Sequence, residues 1–94
     1  LVPMLSFKTF DEVIERSNNH ELGLSSYICT NSMDKAHKAS ELMETGTVAV
    51  NTPLVAIAEA PFGGIKQAGY GREGGSMAIK NYLNVKYTHL GLKG

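Results

Sequence analysis

Up to Asn51 the chain alternates short β-branched runs with amphipathic ones, and from Thr52 to Glu73 it does neither. That break limits the folds open to it. The segment holds two of the three prolines, Pro53 and Pro61, with Gly63, Gly64, Gly69 and Gly71. A stretch this long without periodicity, inside a compact domain, is usually functional or a linker.

The regular part reads element by element. Leu1–Phe7 is apolar enough for a strand, with Pro3 tolerated near its start or on an edge. Thr9-Phe10-Asp11-Glu12 has the form of a capping box, a hydroxyl for the first free N–H groups with a glutamate three residues on. Phe10, Val13 and Ile14 then repeat at helical spacing, and Asn18-Asn19 closes the helix. Ser25–Thr30 reads as a second strand. Asn31 or Ser32 can cap a second helix whose apolar face is Ala36, Ala39, Leu42 and Met43, and Gly46 stands where a left-handed residue would end it. Thr47–Asn51 is short and β-branched, so it reads as a buried strand.

Beyond the break a helix is predicted over about Gly75–Leu83, with Ile79, Tyr82 and Leu83 on one face. A terminal strand follows over Val85–Leu92. The order β-α-β-α-β-loop-α-β predicts an α/β architecture with a partial parallel sheet formed by the first three strands, since helical crossovers favour parallel pairing. Three helices cannot cover both faces of such a sheet, so a further piece is expected. The opening at Leu1, with structure already under way, fits a cut start.

Length leaves room for one small domain. Hydrophobic residues make up 43% of the chain, which argues against disorder. Nine basic and nine acidic residues cancel, so neither a nucleic-acid nor an anionic-membrane partner is indicated. No apolar run approaches the roughly 18–20 residues that span a bilayer. The one cysteine, Cys29, excludes an internal disulfide and suits a reducing, cytoplasmic setting.

Candidate chemistry is sparse. Gly69-Tyr70-Gly71-Arg72-Glu73-Gly74 matches G-x-G-x-x-G, but that fingerprint needs a strand directly before it and an acidic residue about 20 positions on. Lys66-Gln67-Ala68 precedes it, and no acid follows Glu73. Cys29 sits beside Tyr27 and Ile28 with no adjacent base, and is expected to be buried and inert. His20, His37 and His89 lack metal-ligand spacing. Glu59 and Glu73 are the acids of the irregular segment, and nothing in their spacing brings them together.

Pro61-Phe62-Gly63-Gly64-Ile65-Lys66-Gln67-Ala68-Gly69-Tyr70-Gly71-Arg72-Glu73 resembles the PFGGxKxSGxGRE segment of the aldehyde dehydrogenase superfamily, with Ala68 where serine is usual. Phe7-Lys8-Thr9, Gly23-Leu24, Gly46-Thr47-Val48, Val50-Asn51 and the stretch Ala78–Lys86 agree with it. The likeness runs from Leu1 to about Leu92 and corresponds to the C-terminal part of such enzymes. It implies residues 1–84 as the end of a catalytic domain and residues 85–94 as a terminal oligomerisation strand and tail.

By position, the resemblance implies that Phe62 lines the substrate tunnel and that Leu54, Val55 and Ala56 meet the substrate tail. Glu73 matches a glutamate assigned to a proton relay behind the active site, the alternative being a buried pair with Arg72. Family members attack the aldehyde with a cysteine thiolate, pass hydride to NAD or NADP, and hydrolyse the thioester with glutamate-activated water. Those groups lie upstream, so this chain by itself is expected to hold no cofactor, no metal and no activity. Its expected partners are the rest of the parent polypeptide, a small aldehyde, and further copies in a homodimer or homotetramer. Glu59-Ala60-Pro61-Phe62, Gly74-Gly75-Ser76 and Tyr82-Leu83 most resemble the succinate-semialdehyde and oxo-acid semialdehyde branch, although Ala56 and Ile57 replace the hydroxyl that would hold a carboxylate. The rival reading is a free-standing, non-enzymatic α/β scaffold or subunit-association module.

Overall fold

The computed structural model describes residues 1–93; the last residue of the expected tail, Gly94, lies outside them. Its elements are α1 (Phe10–Asn18), β1 (Leu22–Gly23), β2 (Ser25–Ile28), α2 (Met33–Leu42), β3 (Thr47–Val50), β4 (Ile65–Lys66) and a 3-10 turn (Ala78–Tyr82).

Helix α1 starts where its cap dictates. Thr9 is extended, at φ −126 and ψ 157, and its hydroxyl accepts the Glu12 N–H at 3.1 Å. The reciprocal half of the box reaches one residue further back: Glu12 Oε2 accepts from Lys8 N at 2.9 Å, while Oε1 meets Arg16 Nη1 at 3.3 Å. The Lys8 N–H above all, then the Thr9 N–H and Arg16, hold the Glu12 carboxyl below its usual range.

Helix α2 takes Ser32 rather than Asn31 as its cap, the hydroxyl accepting from Lys35 N at 3.3 Å. It buries Ala36 and Ala39, whereas Leu42 of the expected face is exposed. The helix closes at Met43 in an extended conformation, and Gly46 is not left-handed. Gly46 is required for a different reason. A Cβ there would run into the Gly63 carbonyl oxygen and lie 3.0 Å from Gly64 Cα.

Across α2, β2 and β3 pair in parallel from Ser25↔Thr47 to Ile28↔Val50. This crossover realises the α/β expectation on two strands rather than three. A second pairing, antiparallel β1–β4 with Leu22↔Lys66 and Gly23↔Ile65, ties the irregular segment to the end of α1.

Three expected elements differ. Leu1–Phe7 and Val85–Leu92 are exposed and make no ladder, because a strand exists only as a paired state and the described residues offer them no partner. The helix expected over 75–83 contracts to Ala78–Tyr82. Gly74 and Gly75 stand at φ 66 and 62, which breaks its first turn, and Met77 provides no side-chain cap. Cys29, expected to be buried, is exposed one residue beyond β2.

The core is small: Ala36, Ala39 and Ala49, with Ser26 buried among them. Ser26 Oγ is bonded to Thr45 Oγ1 at 2.9 Å, which satisfies that polar group. Accessible surface is 8299 Å², against roughly 5,300 Å² for a compact monomer of this mass. The radius of gyration is 19.0 Å, where about 12 Å is ordinary for this length. Much of the excess lies on apolar side chains at the two extended ends, among them Leu1, Met4, Leu5, Val85, Tyr87 and Leu92.

Candidate functional site

The irregular segment is ordered by main-chain bonds rather than by helix or sheet periodicity. Phe62 N donates to Glu73 O and Glu73 N to Phe62 O, both at 2.7 Å, an antiparallel bridge that closes the glycine-rich loop. Within that loop β4 anchors the chain to β1, and Gln67 N reaches Glu21 O at 3.0 Å. Gly75 N donates to Ala58 O at 2.8 Å, which draws the preceding loop against the bridge.

Arg72 fastens the interior of the loop. Its Nη1 donates to Gly64 O and Gly71 O, each at 2.9 Å. The alternative reading of Glu73, a buried pair with Arg72, does not form: Arg72 Nη1 turns to main-chain carbonyls, and Glu73 is exposed. Gly63 is needed where Arg72 crosses: a Cβ would stand 2.5 Å from Gly71 O and 2.7 Å from Arg72 Cδ. From the 3-10 turn, Asn81 Nδ2 donates to Arg72 O at 2.7 Å.

This framework gathers three of the five residues singled out from the sequence. Ala56, Ile57, Phe62, Glu73 and Gly74 line a cleft of about 240 Å³. Leu54 and Val55 are not on it; Leu54 is exposed and Val55 half-buried. On the other side of the bridge a cleft of about 350 Å³ lies between Leu24, Phe62, Arg72, Glu73, Asn81 and Tyr82. The Phe62 ring offers an apolar surface and the Glu73 carboxylate a proton acceptor at one rim. The one thiol, Cys29, lines neither cleft.

Gly69–Gly74 does not have the geometry of a dinucleotide site. The preceding strand is two residues long, and Gly69, Gly71 and Gly74 are left-handed. Among the described residues no α-helix follows to present free N–H groups to a pyrophosphate. Among the described residues no three His, Cys, Asp or Glu side chains are grouped to hold a metal. His20 Nδ1 instead accepts Leu22 N at 3.1 Å, and His89 Nδ1 meets Tyr87 Oη at 3.3 Å. No helix among the described residues is long and apolar enough to cross a membrane.

Two residues of the site escaped the sequence reading. Asn51 and Lys66 are the only non-glycine residues at positive φ among those described, both at 56. Asn51 carried a signal, since asparagine tolerates that region and ends the β-branched run. Lys66 carried none.

Residues 1–88 match the profile of the aldehyde dehydrogenase family. A 3-sulfolactaldehyde dehydrogenase of Pseudomonas putida is 45% identical over 97% of this chain, which covers 19% of that protein. The mitochondrial succinate-semialdehyde dehydrogenase of Arabidopsis thaliana is 42% identical over 97% of the chain, covering 17% of it. A solved NAD+ complex of a Bacillus cereus aldehyde dehydrogenase superposes with a TM-score of 0.83 at 44% identity, over 87% of this chain and 17% of the other. The chain thus spans less than a fifth of the length of these relatives.

Proposed function

Because the chain belongs to the aldehyde dehydrogenase family, we propose that it forms one wall of the aldehyde passage in a longer NAD(P)-dependent enzyme that oxidises an aldehyde to its carboxylic acid. The observation that carries this reading is the Phe62–Glu73 bridge, which sets an aromatic ring and a carboxylate on one cleft with Ala56 and Ile57.

In this reading Phe62 packs against the aldehyde's carbon chain and excludes water near the reacting carbon. Of the three loop residues expected at the substrate tail, Ala56 meets it, and Leu54 and Val55 stand off the cleft. Glu73, at the rim, takes a proton released during turnover and returns it to solvent. Cys29 lies at the end of β2 and not on the cleft, so the attacking thiolate comes from elsewhere in the enzyme. The glycine loop does not fit a dinucleotide, so NAD or NADP is held by other parts of the protein, and this segment is inactive alone.

The substrate class is a semialdehyde, a reading supported by the likeness to succinate-semialdehyde dehydrogenases. Thr52 has the only hydroxyl of the Thr52–Ile57 loop, and it does not line the cleft. In this reading the acid end of the substrate is held by residues outside this chain. The exposed, alternating Val85–Leu92 stretch pairs with a second copy in a homodimer or homotetramer, and the single thiol suits the cytoplasm.

Reduced nicotinamide formed with succinate semialdehyde, followed for the full-length enzyme and for residues 1–94 alone, tests the proposal. The full-length enzyme turns over and the segment does not. A full-length protein that oxidises no aldehyde, or a segment that does, overturns it.

A further inference from the structure

The two left-handed residues bracket the stretch that carries the cleft: Asn51 stands before Thr52, and Lys66 directly after Ile65. Glycine is the residue that enters this region without steric cost. The chain has glycine at Gly69, Gly71, Gly74 and Gly75, yet at these two positions it uses side chains able to hydrogen-bond. In both cases the side chain is hydrogen-bonded to main-chain groups of another segment. Strain of this kind persists where the surroundings over-determine it, and it concentrates at functional sites.

Asn51 makes the last rung of the parallel pair through its own N–H, which donates to Ile28 O at 2.8 Å. Its side-chain amide then acts as an additional peptide group. Oδ1 accepts from Thr30 N and Nδ2 donates to Thr30 O, each at 2.9 Å. The main chain has already turned away from the sheet while the side chain continues the ladder, so the direction in which Thr52 leaves is fixed.

Lys66 closes the other end. Its Nζ donates to Asn18 O at 3.0 Å, His20 O at 3.3 Å and Glu44 Oε2 at 2.5 Å, using all three of its protons. Two of these acceptors are carbonyls at the C-terminal end of α1, where a cation is favoured. That frame is itself held: Asn18 Nδ2 donates to Leu42 O and Asn18 Oδ1 accepts Glu44 N, both at 2.8 Å. Lys66 thus ties the loop to the ends of both helices at once.

We propose that Asn51 and Lys66 are paired positioning residues: by pinning the two ends of the span between them, they set where Ala56, Ile57 and Phe62 stand and hence which aldehydes the cleft admits. This rests on the reading of that cleft as an aldehyde passage. Neither side chain touches the substrate. Each acts through the loop it anchors, and a displacement of about 1 Å in a positioning element is worth on the order of a hundredfold in rate.

The test compares the full-length enzyme with Asn51→Gly, which keeps the left-handed backbone and loses both amide bonds, and with Lys66→Met, which keeps the stem and loses the ammonium. Lys66→Arg is the rescue, and Asn51→Asp replaces Asn51→Gly if the latter does not fold. kcat and KM are measured over unbranched aldehydes of increasing length, together with amide hydrogen exchange across residues 52–64. The expected result is faster exchange in that span and a change of about tenfold or more in the ratio of kcat/KM between long and short aldehydes. Lys66→Arg recovers most of it. A change uniform across the series that follows loss of folded protein, or unaltered exchange, overturns the proposal. A wild-type enzyme that forms the same exchange-protected span but oxidises no aldehyde removes the underlying functional reading instead, and leaves the pinning itself standing.

Discussion

Phe62 and Glu73 exchange both of their main-chain hydrogen bonds at 2.7 Å, so the aromatic wall and the carboxylate of the cleft are fixed by one two-residue ladder. The Glu73 side chain takes no part in that ladder, which separates its chemistry from its structural role. Glu73→Gln in the full-length enzyme keeps the fold and the aldehyde KM and lowers kcat by up to about 10²-fold, the low end for general acid–base groups. Steady-state kinetics beside a thermal melt decide the matter. A lower melting point with unaltered kcat makes Glu73 a structural residue.

Gly46 and Gly63 meet backbone to backbone, with no room for a Cβ between them. Gly46→Ala therefore forces two main-chain segments apart, and the expected loss of stability in the full-length enzyme is about 1–3 kcal/mol. Denaturant midpoints of the wild type and Gly46→Ala check this, and equal midpoints would mean that the contact yields.

The chain shows how far pattern reading reaches. Thr9 and Ser32 were legible as caps because capping is local: a hydroxyl, an extended residue, and an amide three positions on. The β2–β3 crossover was legible from its β-branched runs and the helix between them. The β1–β4 pairing was not, because two residues on each side are too few for a period. Gly46 was noticed for the wrong reason. The sequence marks a glycine near a helix end, and only the fold reveals a carbonyl where its side chain would be. Phe62 and Glu73 were singled out by resemblance, and the bridge pairs them. Leu54 and Val55 stand off the cleft, and no local pattern marks where the loop begins to line it. Cys29 misled because an apolar run implies burial only when something covers it.

The Glu12 carboxyl is held low chiefly by the Lys8 N–H, so its contribution to the start of α1 is present at neutral pH, above its unfolded value. It disappears as pH falls through the lowered, folded-state value. The protection factor of the Lys8 amide in the full-length enzyme, taken against the intrinsic exchange rate at each pH, should fall over that acidic range, and Glu12→Gln should remove the fall. A wild-type protection factor that does not change with pH contradicts the assignment.

Val85–Leu92 alternates and is fully exposed, without a ladder partner among the described residues. An open row of N–H and C=O groups is a surface that native proteins cover. Deleting residues 85–94 from the full-length enzyme should lower its assembly state by one level, from tetramer to dimer or from dimer to monomer, as read by light scattering. A truncated enzyme of unchanged assembly makes the tail a local edge only.

The central claim is that the Phe62–Glu73 cleft receives the aldehyde. A crystal structure of the full-length enzyme with its carboxylic acid product bound tests it most directly. The product's carbon chain is expected in van der Waals contact, roughly 4 Å, with the Phe62 ring and Ala56, and the Glu73 carboxylate linked to the reaction centre through water. A product seated with neither Phe62 nor Ala56 in contact would contradict it.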